Sequence, residues 1–151
     1  MSNLGYYSYE GLGKWSQEQL WYSQAVHIGD RIECAGQGTR NQYSFSPYTL
    51  TIFEHSRVGS KTGHCHAKLE DQIDQAFTDV DLVLTNAGGL GWQQVFRVNA
   101  YHLPLDDCVV ATMVRSFKQW MPYHQPIWTC VGVASLAQAD MKIKIEARRC
   151  I

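Results

Sequence analysis

Side chains with the chemistry for a site fall in a few short stretches of the sequence. His64, Cys65 and His66 stand together, with His55 nearby. Imidazole and thiolate are zinc ligands, but residues i and i+2 face the same way only in a strand, and no fourth ligand is evident. A solvated histidine cluster is the simpler reading, and no metal or other cofactor is expected. "NAGGLGW" is glycine-rich. It follows a helical pattern and precedes a strand pattern, the reverse of the phosphate-cradling order, so it reads as a helix stop. Asp106-Asp107 reads as a helix-capping pair, not an acid–base dyad. The stretch "QPIWTCVGVASL", residues 125–136, is apolar and β-branched but carries Trp128 and Cys130 on the opposite parity from Ile127, Thr129, Val131 and Val133. Cys130 has no histidine placed by the sequence to activate it, so it reads as a small buried thiol.

Composition bounds the rest. Net charge is −1, with 18% charged and 45% hydrophobic residues. That argues against a dominant phosphate-binding surface, and no nucleic-acid partner is expected. No apolar run approaches the length of a membrane span, and no leader with a basic segment before an apolar run is visible at the start. Five cysteines, at 34, 65, 108, 130 and 150, are odd in number and lack paired spacing. Reduced thiols in a cytoplasmic protein follow from this. The length fits one domain over 1–151.

The elements that position these residues follow from period and punctuation. "QAVHIGDRIECAGQG" predicts a hairpin turning at Gly29-Asp30, with an added N-terminal strand at Tyr6 to Tyr9. Residues 38–66 are turn-rich and predict a long loop insertion, with a short strand at Leu50 to Phe53. From Ala67, apolar residues at Leu69, Ile73, Ala76, Phe77, Val80, Val83, Leu84 and Ala87 mark one face of a helix that Gly88-Gly89 ends. "WQQVFRVNAYHL" predicts a strand. Asp106-Asp107 opens a second helix that Pro122 closes. Ile127 to Ser135 and Met141 to Arg148 predict the last strands. The fold class is α+β: a mixed sheet with two amphipathic helices on one face. The expected helix-facing set is Thr129, Val131, Val133, Ile143 and Ile145. The other face is expected to carry Trp128, Cys130, Gly132, Lys144 and Glu146, a pattern that points to a subunit interface with a pocket.

This order of segments resembles the YjgF or reactive-intermediate deaminase (Rid) family, whose members also go by L-PSP endoribonuclease-like. "YSQAVHIGDRIECAGQ" is similar to the family's opening hairpin, "DQAFTDVDLVLTNAGG" to its long helix, and "QPIWTCVGVASLAQADMKIKIEA" to its C-terminal signature. The similarity runs from about Trp21 to Arg149. It implies a chorismate-mutase-like domain forming a homotrimer, with small-molecule clefts between subunits and no metal or organic cofactor. In deaminase members an arginine clamps the carboxylate of an imine or enamine, and water hydrolyses the C=N bond.

Carried over residue by residue, the family's clamping arginine falls at Trp128, its hairpin serine at Ala35, the asparagine of the second helix at about Ala111, and the glutamate of the last strand at Lys144. Tyr22, Gly36, Gln37 and Cys130 are retained. The resemblance therefore implies a cleft involving Tyr22, Ala35, Gly36, Gln37, Ala111, Trp128, Cys130 and Lys144. Tyr22, Lys144 and Glu146 are the candidates for catalysis. Trp128 reads either as interface packing or as the wall of an altered pocket, and Lys144 either as a solvated strand residue or as an anion ligand. The expected function is binding of, or action on, a larger, less acidic or aromatic metabolite. Imine hydrolysis as in typical members and a non-catalytic scaffold are the alternatives. Ribonuclease activity is disfavoured by the neutral composition.

Overall fold

The computed structural model describes residues 4–38 and 69–151. All but Gly38 of the loop expected over 38–66, with its short strand at Leu50 to Phe53 and the His55 and His64-Cys65-His66 cluster, lies outside these residues. The elements are β1 (Leu4–Tyr7), α1 (Leu12–Gln19), β2 (Ala25–Ile28), β3 (Arg31–Cys34), α2 (Leu69–Asn86), β4 (Val95–His102), α3 (Asp107–Trp120), β5 (Ile127–Gly132) and β6 (Ile143–Cys150). One six-stranded mixed sheet runs in the order β1-β2-β3-β6-β4-β5, with β4 and β5 parallel and the other pairs antiparallel. The α+β architecture with a mixed sheet is as expected, with one added element. The short helix α1 buries Leu12, Gly13 and Ser16.

Local chemistry explains the longer elements. α2 buries Ile73, Ala76, Phe77, Val80, Val83 and Leu84. Its first turn carries Glu70 and Asp71 at the positive end of the dipole. It stops because Gly88 takes φ +89°, with Gly88 N–H donating to Thr85 O and Gly89 N–H to Leu84 O. α3 starts where the Asp106 carboxylate accepts from Val109 N–H at 2.9 Å. Trp92 stacks on Phe77 at 4.6 Å and donates its indole N–H to Phe77 O at 2.9 Å. These contacts tie the end of α2 to the start of β4.

Register decides which face each strand residue takes. Val98, Ala100 and His102 of β4 oppose Ala147, Ile145 and Ile143 of β6, and all six are buried in the helix-covered core. In β5, Trp128, Cys130 and Gly132 oppose that same β4 set. Trp128 therefore points to the helices and meets Phe117 of α3 edge-on at 5.1 Å. The expected face assignment for β5 is reversed. Thr129 and Val131 share the uncovered face with Asn99, Tyr101, Lys144 and Glu146. The physical reason is that β5 is an edge strand whose β-branched residues are not in the core. Ile127 and Val131 are 55% and 40% exposed.

Candidate functional site

Beyond β3 the chain runs along β6. Gln37 and Ile145 exchange backbone hydrogen bonds of 2.7 Å in both directions. Gly36 leaves room there for a side chain of β6. A Cβ at position 36 would lie 2.5 Å from Lys144 Cε, so the lysine stem crosses over the glycine. Gln37 is buried, and its side-chain amide donates to Gln24 Oε1 at 2.9 Å and Ala35 O at 2.8 Å. Gln24 Nε2 donates in turn to the Tyr22 hydroxyl at 3.3 Å. Tyr22, Gln24, Gln37, Asp79 and Lys144 line one cavity of about 30 Å³. The structure thus brings together four expected site residues, Tyr22, Gly36, Gln37 and Lys144.

Among the unanticipated members of this cavity, Gln24 and Asp79 bear on its chemistry. Gln24 aligns Gln37. Asp79 of α2 is 4% exposed and accepts a 2.9 Å hydrogen bond from Gln75 Nε2. Burial pushes the Asp79 carboxyl up to about 7, against the pull of the Gln75 bond. A signal was present: Asp79 interrupts the apolar stripe between Ala76 and Val83, where a carboxylate is costly.

Trp128 belongs to a second cavity, of about 450 Å³, between the end of α3 and the start of β5. Its walls include Phe117, Met121, Tyr123, His124, Pro126 and Trp128. His124 Nε2 lies 2.8 Å from Val95 O, which fixes that ring. Cys130 is half-buried on the same sheet face as Trp128, and burial raises its thiol pKa, which disfavours a reactive thiolate.

The remaining expected residues are elsewhere. Ala35 lines a third cavity, of about 240 Å³, with Tyr6, Ser23, Glu33 and Cys34. Ala111 is exposed on α3 and lines none of these three cavities. Glu146 stands on the uncovered sheet face, where Asn99 Nδ2 and the Tyr101 hydroxyl each donate to its Oε2 at 3.4 Å. Desolvation, then the Glu146 charge, raises the Tyr101 phenol pKa. Nearby, Arg148 pairs with Glu33 at 2.9 Å. Among the described residues, no group of three or more His, Cys, Asp and Glu side chains is placed to hold a metal ion. None of the described helices is long and apolar enough to cross a membrane.

Comparison with known proteins adds the evolutionary frame. A family model described as Endoribonuclease L-PSP matches residues 17–149. The YjgF gene product of E. coli is 27% identical, with a TM-score of 0.64 over 85% of this chain and 87% of its own. TdcF of E. coli, solved with bound serine, is 25% identical with a TM-score of 0.62, covering 86% and 87% of the two chains. Rv2704 of Mycobacterium tuberculosis, a member of the YjgF/YER057c/UK114 family, shares the fold at a TM-score of 0.70 and 18% identity over 99% of this chain and 100% of its own. No curated protein matches significantly.

Proposed function

This chain belongs to the endoribonuclease L-PSP family, and we propose that it binds a small metabolite in a cleft completed by a neighbouring subunit of a homotrimer. The whole chain acts as one domain in this reading. The ligand is larger, less acidic or more aromatic than the small imino acids that deaminase members bind. One observation carries the proposal: Trp128, where the resemblance puts the family's clamping arginine, helps to wall a cavity of about 450 Å³ together with Phe117 and Tyr123. An indole offers no bidentate fork and no fixed charge for a carboxylate. A cavity of this size with aromatic walls suits a ring-bearing ligand.

Two features support a shared cleft. Lys144 and Trp128 point to opposite faces of the sheet. One protomer therefore does not present both to a single ligand, whereas a neighbour can offer one group against the other. Ile127 and Val131 are also left exposed on the uncovered face of β5, apolar surface that association would bury. Losing a charge-assisted clamp costs on the order of 2–5 kcal/mol, or about 30- to several-thousand-fold in rate. Imine hydrolysis is therefore expected near background.

Native mass spectrometry tests assembly and cargo together. The expected result is a species at three times 17.2 kDa that carries a small molecule through purification. A clean monomer at micromolar concentration would sink the shared cleft. Hydrolysis of imines from an amino-acid oxidase at rates typical of deaminases would show that another group, Lys144 first, replaces the clamp.

A further inference from the structure

Asp79 has no role in the reading above. An ionised carboxylate inside the core stripe of α2 is disfavoured by several kcal/mol unless it is paired or neutral, on the order of a buried unpaired charge. Gln75 gives it one hydrogen bond, and among the described residues this is the carboxyl's one partner. The neighbouring amides are committed elsewhere: Gln37 Nε2 to Gln24 Oε1 and Ala35 O, and Gln24 Nε2 to Tyr22. The carboxyl thus faces a cavity of about 30 Å³ with hydrogen-bonding capacity to spare. Such a space holds one or two atoms of water size, enough for the tip of a ligand and not for its body. Lys144 is the charged group among the other lining residues, and Tyr9 and Tyr22 are the other titratable ones.

We propose that protonated Asp79 donates a hydrogen bond into this cavity and holds there a carboxylate or carbonyl oxygen of the bound ligand. This rests on the cleft reading above, because the ligand's body must lie outside so small a space. A protonated acid is the donor that can approach an anionic oxygen from the apolar side of the helix without bringing a second charge into the core. Lys144, at the same cavity, complements it from the sheet side. Burial raises the acid to about 7, so its proton is available near neutrality.

Proton linkage tests the assignment. Sodium 2-oxobutyrate is titrated calorimetrically into the full-length chain at pH 7.5, in phosphate and in Tris, whose ionisation heats differ. With a pKa of about 7, roughly a quarter of the free protein carries the proton at that pH, so fixing it on binding takes up about three-quarters of a proton. Asp79→Asn retains a side-chain N–H donor and should bind without proton uptake. A purely structural role for Asp79 would leave the uptake the same in both proteins. Binding to the parent without uptake, or equal uptake in the variant, overturns the Asp79 assignment and leaves the cleft standing. No binding of the probe at any pH between 6 and 8.5 likewise overturns the Asp79 assignment and leaves the cleft standing, since that reading expects a larger or less acidic ligand.

Discussion

Replacing Asp79 by Asn should reshape the pH dependence of stability, and the structure sets the sign. The folded protein keeps Asp79 protonated to about pH 7, whereas the unfolded chain releases that proton near 3.8. Asp79's contribution is complete below pH 3.8 and is lost as pH rises through about 7. The shift of roughly three units corresponds to about 4 kcal/mol. His102 works the other way. It is fully buried, its ring nitrogens lack hydrogen bonds, and burial lowers its pKa from 6.5 to about 4. Its contribution is present above pH 6.5 and is lost as pH falls through about 4, by roughly 3 kcal/mol. Between pH 4 and 6.5 the folded state holds one proton on this pair, on Asp79, and the unfolded state also holds one, on the imidazole. The two slopes cancel. Asp79→Asn removes one of them, so the variant's stability should rise relative to the parent by about 1.4 kcal/mol per pH unit across that window. At pH 7.5 the variant should be the more stable by about 1–3 kcal/mol, the lost penalty being offset by burial of an amide that Gln75 alone partners. Urea unfolding followed by tryptophan fluorescence at pH 4.5, 5.5, 6.5 and 7.5 reads this, at one protein concentration because assembly is linked to stability. Parallel profiles for the two proteins would refute the reasoning.

Trp128→Arg should cost about 1–3 kcal/mol, from the lost edge-to-face contact with Phe117 and part of the indole's burial. The guanidinium can hydrate in the adjoining cavity, so the proposed trimer should persist and bind 2-oxobutyrate more tightly. Dissociation or aggregation on size exclusion would make Trp128 a packing residue. Gly36→Ala forces the Lys144 stem aside while leaving the backbone pairing of Gln37 with Ile145 in place. The melting temperature should move by a few degrees at most, and 2-oxobutyrate affinity should fall several-fold by calorimetry; unchanged affinity would remove Lys144 from the site. RNA binding should be weak and fall steeply with salt in a filter assay at 50 and 300 mM salt, and submicromolar binding at the higher salt would contradict it.

The elements that the sequence made legible are those whose signals are local. α2 and α3 announce themselves through long apolar stripes, and their ends through Gly88-Gly89, Asp106 and Pro122, each acting on its own turn. The hairpin turns where Gly29 takes φ +60°. α1 was missed because eight residues, "LGKWSQEQ", hold less than two full apolar repeats and follow no side-chain cap. Within the candidate site, Tyr22, Gly36, Gln37 and Lys144 could be placed together through resemblance. Asp79 could have been flagged as an acid in an apolar stripe.

The face taken by β5 was not legible, and the reason bears on function. Alternation tells which residues of a strand share a face, but not which of the two faces meets the helices. For β6 the charged alternates settle it, since Lys144, Glu146 and Arg148 stay out of the core. β5 has apolar residues on both parities, Ile127 and Val131 on one and Trp128 and Cys130 on the other. Only the register with β4 decides between them, and it puts the tryptophan under α3. A strand apolar on both faces is expected either in a sheet covered on both sides or at an edge awaiting a partner. In this chain the helices cover one side of β5, and the other side keeps Ile127 and Val131 exposed. The reversal thus moves the demand for a partner from the Trp128 face to the opposite one. Trp128 is released from interface packing on the uncovered face and becomes available as the wall of a cavity.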